Sequence, residues 1–160
     1  MLMKKMLLFV FYIAISCHVS TVKAQGNADA LMKQGQEFLA NKEYVKARST
    51  FLHAFNAFVA KGQSDKATYC GTRVASLYYR ENYYKEAFDI LRAADQCIVQ
   101  GEQRNNSQRP DLRYATTKER LQMYTRMRKA SSAAEQINRL DAYANAAAND
   151  SLNKDLLYTK

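Results

Sequence analysis

The sequence predicts an all-α protein made of antiparallel helix hairpins stacked side by side, and three observations carry the prediction. The 160 residues include one proline and five glycines, and apolar side chains recur at three- and four-residue intervals instead of alternating as a half-buried strand requires. A pattern of small and large apolar residues also recurs. Gly35, Phe38, Tyr44, Ala47, Phe51 and Ala54 stand at offsets of 3, 6, 3, 4 and 3, and Ala75, Tyr78, Tyr84, Ala87, Leu91 and Ala94 repeat them. Finally, helices approach to about 8 to 10 Å only where small side chains admit a neighbour's ridges, and the glycine and alanines of the pattern supply such places. A larger residue at Ala47 or Ala87 should overpack the seam and cost about 1 to 3 kcal/mol.

The chain opens with an export leader over 1–24. Met1 to Lys5 is a short basic start, Met6 to Ile15 is apolar, and Val22-Lys23-Ala24 ends in the small residue that a signal peptidase needs. Ten apolar residues span about 15 Å as a helix, half a bilayer core, so cleavage after Ala24 is preferred to a permanent span. The rival reading is a lipid anchor at Cys17, since Ala14-Ile15-Ser16-Cys17 loosely resembles a lipobox. Either way the expected location is the periplasm or envelope of a bacterium. The formal charge of +9 falls to +6 once Lys4, Lys5 and Lys23 leave with the leader, 21 basic residues facing 15 acidic ones.

Three hairpins follow, over 28–62, 64–101 and 110–148. Asn27 or Asp29 caps the first helix, from about Ala28 to Ala40, and its partner runs from Tyr44 to about Lys61, where Gly62 provides a left-handed stop. Ser64 caps the third helix, which ends near Arg80. The fourth spans Tyr84 to about Gln100, with Gly101 as its stop. Glu102 to Arg109 has no apolar anchor and reads as an exposed loop. Pro110 suits the first turn of the fifth helix, where its missing donor costs nothing. This helix continues to about Met127, and the sixth covers about Ala130 to Ala148. Aligning Ala133 with Ala47 and Ala87 puts Leu121, Tyr124, Ala130, Ile137 and Leu140 in register, a divergent third copy. Residues 149–160, with Leu152, Leu156 and Leu157, begin a further repeat or form a capping helix.

The offsets, with a small residue and then an aromatic on the first helix and an aromatic and two alanines on the second, resemble the tetratricopeptide repeat (TPR). The resemblance implies a right-handed solenoid and a role in binding protein or peptide. Equivalent alanines lie 40 and then 46 residues apart, against about 34 in the simplest members of that family. By register, the groove that TPR proteins use for partners would here be lined by Gln36, Tyr69, Thr72, Tyr79, Arg80, Lys118, Gln122 and Arg126. Arginine and lysine there can hold a peptide carboxylate by charge-assisted hydrogen bonds. An exported array of such repeats resembles the N-terminal sensing region of bacterial membrane-bound regulators, including sensor histidine kinases. The alternative is a free-standing secreted or lipid-anchored adaptor of the cell envelope.

Other features are weighed against that role. Arg104, Arg109, Arg113, Lys118, Arg120, Arg126, Arg128 and Lys129 face only Asp111 and Glu119 within 104–129, which suits a solvated helix face, or else an acidic partner or an anionic membrane surface. Export argues against nucleic acid. Cys70 and Cys97 lie near the two ends of one hairpin and come roughly level, making a candidate disulfide in an oxidising compartment; two buried thiols are the other reading. His53 has no second ligand-type residue beside it. With no metal-ligand spacing, phosphate-cradling glycine loop or nucleophile motif, neither a cofactor, a metal nor an enzymatic activity is expected of this segment.

Overall fold

The computed structural model describes residues 27–147. The expected leader, the lipid anchor at Cys17 and the further repeat or cap over 149–160 lie outside the described residues. Within them the chain forms six helices and no strand: α1 (27–40), α2 (Tyr44–Ala60), α3 (Ser64–Arg80), α4 (Tyr84–Asn105), α5 (Pro110–Arg126) and α6 (Ala130–Ala147).

Four of the five turns share one construction. In each, one residue adopts a left-handed backbone: Lys42 (φ 60°), Gly62 (φ 64°), Asn82 (φ 67°) and Arg128 (φ 56°). The N–H of the next residue reaches back five positions, Glu43 to Phe38, Gln63 to Phe58, Tyr83 to Tyr78 and Lys129 to Tyr124. The left-handed residue itself donates to the carbonyl three positions back. This pair of bonds is the Schellman closure, which satisfies carbonyls left over at a helix end. An aromatic residue supplies the accepting carbonyl every time. At Tyr78 the accompanying hydrophobic contact is visible as an edge-on ring pair with Tyr83, centroids 6.3 Å apart.

The repeated alanines face inward as the spacing requires. Ala47, Ala54, Ala75, Ala87 and Ala94 are fully buried, as are Phe51 and Leu91. Gly35 lies beneath Phe51, so closely that a Cβ there would stand 2.9 Å from the ring. Phe38, Tyr44 and Tyr78 are half-buried at the margin of the same layers, and so is Tyr84. In the third hairpin Leu121 and Leu140 are buried, but Ala133 and Ile137 are only half-buried and Ala130 is exposed. The outer helix of that hairpin has no following helix among the described residues to cover it.

α3 is the hub. It packs on α2, on α4 and on α5, while α4 also meets α5 and α5 pairs with α6. One core joins α1, α2, α3 and α4 around Phe51, Phe55, Phe58 and Val74. A small second cluster, Ala75, Tyr79, Ala87, Leu91 and Met123, ties α5 to the α3 and α4 pair. The third, around Tyr114, Leu121, Leu140 and Ala144, belongs to α5 and α6.

Three local expectations are corrected. Gly101 does not stop α4; it is buried inside the helix, and a Cβ there would come within 2.6 Å of Ser64 Oγ. Its value is close approach, and the left-handed stop falls on Asn106 (φ 47°) instead. Ser64 is accordingly a buried contact residue at the start of α3, not its cap; the capping position is Gln63, which makes no side-chain bond. The segment 102–109 is not a loop throughout, because α4 runs on to Asn105. Glu102 is its missing anchor, accepting the Arg109 backbone N–H at 2.7 Å and Arg113 Nε at 3.0 Å. The Arg113 guanidinium, more than any other partner, holds the Glu102 carboxyl below the usual range.

Candidate binding cleft

The side chains expected to line a groove fall on α3 and α5, with Gln36 on α1, and hydrogen bonds link these three helices in sequence. Gln36 Nε2 donates to Tyr69 Oη at 3.0 Å, joining α1 to α3. Tyr79 Oη donates to Gln122 Oε1 at 2.6 Å, joining α3 to α5. At the far end Arg126 Nη2 donates to the Arg80 carbonyl at 3.3 Å. Burial, and then the nearby Glu119 carboxylate, push the Tyr79 hydroxyl above its ordinary pKa.

A cleft of about 500 Å³ opens between α3 and α5. Tyr69, Thr72, Lys118 and Gln122 line it. Gln36, Tyr79, Arg80 and Arg126 do not, although all four belong to the same chain of contacts. Tyr79 is buried, and the Arg80 guanidinium lies 4.2 Å from the centre of the Tyr44 ring, turned toward α2.

The groups that give the cleft its character were missed by sequence reasoning. Thr68, almost wholly buried on α3, has a hydroxyl with no hydrogen-bond partner among the described residues. Glu119 Oε2, on α5, is likewise buried and unpartnered. Both residues line the same cleft, together with Asp65, Arg73, Leu112 and Ala115. Desolvation pushes the Glu119 carboxyl up to about 7, against the opposing influence of Arg73 and Lys118. Arg73 is held at the side by the Tyr69 ring, 5.2 Å from its centre. In the sequence Glu119 stands between Lys118 and Arg120 and reads as a solvated charge. The usable signal was its spacing, four residues after Ala115 and three before Gln122, which puts all three on one helical face.

The basic segment is occupied mostly by internal pairing. Arg109 pairs with Asp65 and Asp111, Arg113 with Glu102, and Arg120 with Asp95, which also accepts the Thr116 hydroxyl at 2.8 Å. Arg104 Nη2 donates to the Gly62 carbonyl at 2.9 Å. These contacts fasten α5 and the end of α4 to earlier helices.

Of the two readings of the cysteine pair, the structure has the second: Cys70 and Cys97 are separate buried thiols within the first core. Burial pushes Cys70 up to about 12, with Asp29 adding to the effect, and burial likewise raises Cys97, which Arg104 partly offsets. His53 is exposed on α2. Among the described residues no group of three His, Cys, Asp or Glu side chains could hold a metal, and no helix is long and apolar enough to cross a membrane.

Comparison with protein-family models, with curated proteins and with solved structures finds no match to this chain.

Proposed function

We propose that the chain is a TPR-like, right-handed helical solenoid that binds protein or peptide, exported to the bacterial envelope as the N-terminal part of the sensing region of a membrane-bound signalling protein. One observation carries the binding role: first helices of successive hairpins contribute side chains to a common wall, linked through Gln36 to Tyr69 and through Tyr79 to Gln122. Contact between α3 and α5, alternate helices in the chain, supports the solenoid, since stacked hairpins bring their first helices together. The basic and then apolar N-terminal stretch, read as an export leader, supports the location.

A wall of tyrosine, amide and cationic side chains suits an extended peptide, whose backbone needs both donors and acceptors. The internal pairing of Arg109, Arg113 and Arg120 favours this wall over the basic segment as the docking surface. Panning a library of displayed peptides against the whole chain tests the reading. The expected result is a shared motif whose binding falls at least tenfold in a Tyr69→Ala, Gln122→Ala double variant and is unchanged in Val45→Ala, on α2 and outside the wall. Hits indifferent to the double variant, or no enriched motif, would overturn it.

A further inference from the structure

The turns that close the three hairpins, 41–43, 81–83 and 127–129, come together on one edge of the molecule. The Arg80 guanidinium, 4.2 Å from the centre of the Tyr44 ring, joins the second turn to the first, and Arg126 Nη2, donating to the Arg80 carbonyl at 3.3 Å, joins the third to the second. Arg48 adds a further link by pairing with Glu81 and lying 4.8 Å from the centre of the Tyr78 ring. The links between hairpins lie on the opposite edge, where Arg104 reaches the Gly62 carbonyl and Arg109 pairs with Asp65.

Charge distinguishes the two edges. Over 41–46, 80–86 and 126–130 seven cations stand against three carboxylates, whereas over 27–29, 61–66 and 102–113, at the opposite edge, five stand against four. Pairing sharpens the contrast. At the opposite edge Lys66 pairs with Asp29, Arg109 with Asp65 and Asp111, and Arg113 with Glu102. At the edge of closing turns Glu43 is taken up by Lys46 and Glu81 by Arg48, while Glu86 acts on Lys85. That leaves Lys42, Arg80, Arg126, Arg128 and Lys129, all exposed, with no carboxylate partner among the described residues. Lys42 and Arg128 also hold left-handed backbone that glycine adopts more readily, so these cations stand where turn geometry alone favours their absence.

None of the five lines the α3 and α5 cleft. They follow the edge in a row instead of converging on a point, which matches an extended negative surface better than a single carboxylate. Apolar groups accompany them: of the three large hydrophobic side chains exposed among the described residues, Val45 (65 %) and Tyr83 (50 %) lie at this edge. Tyrosine is enriched at the membrane–water interface, and lysine and arginine are drawn to anionic headgroups. We propose that this edge docks on the surface of a bilayer containing anionic lipids, the five cations meeting headgroup phosphates and Val45 and Tyr83 resting at headgroup level. The helices then stand on the membrane by their ends, and the α3 and α5 cleft stays uncovered. This surface goes beyond the peptide-binding role and does not depend on it.

The test is flotation of the whole chain with vesicles of phosphatidylcholine alone and of phosphatidylcholine mixed about three to one with phosphatidylglycerol. Lys4, Lys5 and Lys23 are common to every variant, so comparison between variants isolates the edge. The chain should bind the anionic vesicles about tenfold or more tightly than the neutral ones, and the preference should shrink as salt rises. Arg126→Gln, Arg128→Gln and Lys129→Gln together should weaken binding by about tenfold or more while circular dichroism shows the helices intact. Lys33→Gln, Lys66→Gln and Arg139→Gln together, an equal charge change on α1, α3 and α6 away from this edge, should weaken it by less than about threefold. The proposal fails if neutral vesicles bind as well, if the two triple variants lose the same affinity, or if the edge variant binds like the parent. Soluble polyglutamate that binds as tightly as the anionic vesicles would make the partner an acidic protein and overturn it too. The Tyr69→Ala, Gln122→Ala double variant should bind vesicles unchanged, so failure here is distinguishable from failure of the peptide panning.

Discussion

Glu119 keeps its proton in the folded chain up to about pH 7, whereas an ordinary glutamate releases it near 4.5. Across that interval the native state binds more protons than the unfolded one, so stability falls as pH rises from about 4.5 to about 7 and levels off above. Glu119→Gln removes the burden of the buried charge. Urea titration should find this variant more stable than the parent by about 1 to 3 kcal/mol at pH 8 and equal to it near pH 4; an equal gain at both would contradict the assignment. A second residue-level contrast concerns two helical glycines. Replacing glycine by alanine inside a helix gains about 1 kcal/mol from backbone entropy. At Gly35 the new methyl would meet the Phe51 ring at 2.9 Å, within a fully buried layer, and overpacking of about 1 to 3 kcal/mol outweighs the gain. At Gly71 the nearest atoms are Phe55 Cε2 at 3.1 Å and Ala94 Cβ at 3.3 Å. Thermal melts should therefore show Gly35→Ala below the parent and Gly71→Ala close to it.

At the scale of elements, the shared turn makes a prediction of opposite sign. The left-handed conformation costs a side chain with a Cβ about 1 kcal/mol relative to glycine, yet Lys42 and Arg128 occupy it. Lys42→Gly and Arg128→Gly should each stabilise the fold by about 0.5 to 1 kcal/mol. Gly62 is the converse, because a side chain there would also collide with the Arg104 guanidinium. Denaturation midpoints that fall in Lys42→Gly would show that its side chain does something the turn geometry does not require. These turns also explain what could be read in advance. Helix identity and the first two hairpins followed from the repeated offsets, because small residues fall where ridges must nest. The end of α4 did not follow, because a glycine that permits close approach and a glycine that stops a helix look alike in sequence. Only Ser64, distant in the chain, tells them apart. Glu102 was illegible for the same reason: its partners Arg109 and Arg113 lie across a turn, where helical periodicity no longer applies.

For the molecule as a whole, the expected groove residues were half legible. The register placed Tyr69, Thr72, Lys118 and Gln122 at the cleft, but register cannot report desolvation, so Thr68 and Glu119 stayed hidden until two helices closed over them. The same packing shows where the structure should divide. Met123 is the buried residue of α5 in the cluster that joins the α3 and α4 pair to the last hairpin. Met123 is fully buried, so Met123→Ala should cost about 2 to 5 kcal/mol and fall mainly on that junction. Amide exchange followed by mass spectrometry should find α5 and α6 opening before α1 to α4. Uniform acceleration along the chain would mean that the hairpins unfold as one unit.

The left-handed positions at 42 and 128 have a practical consequence. They are reserves of unclaimed robustness in turns that line no part of the α3 and α5 cleft, so a chain hardened there keeps the cleft's side chains unaltered. Substitutions at Tyr69 or Gln122 that would tip the parent into aggregation could be borne by such a background, and loss of binding could then be told apart from loss of shape.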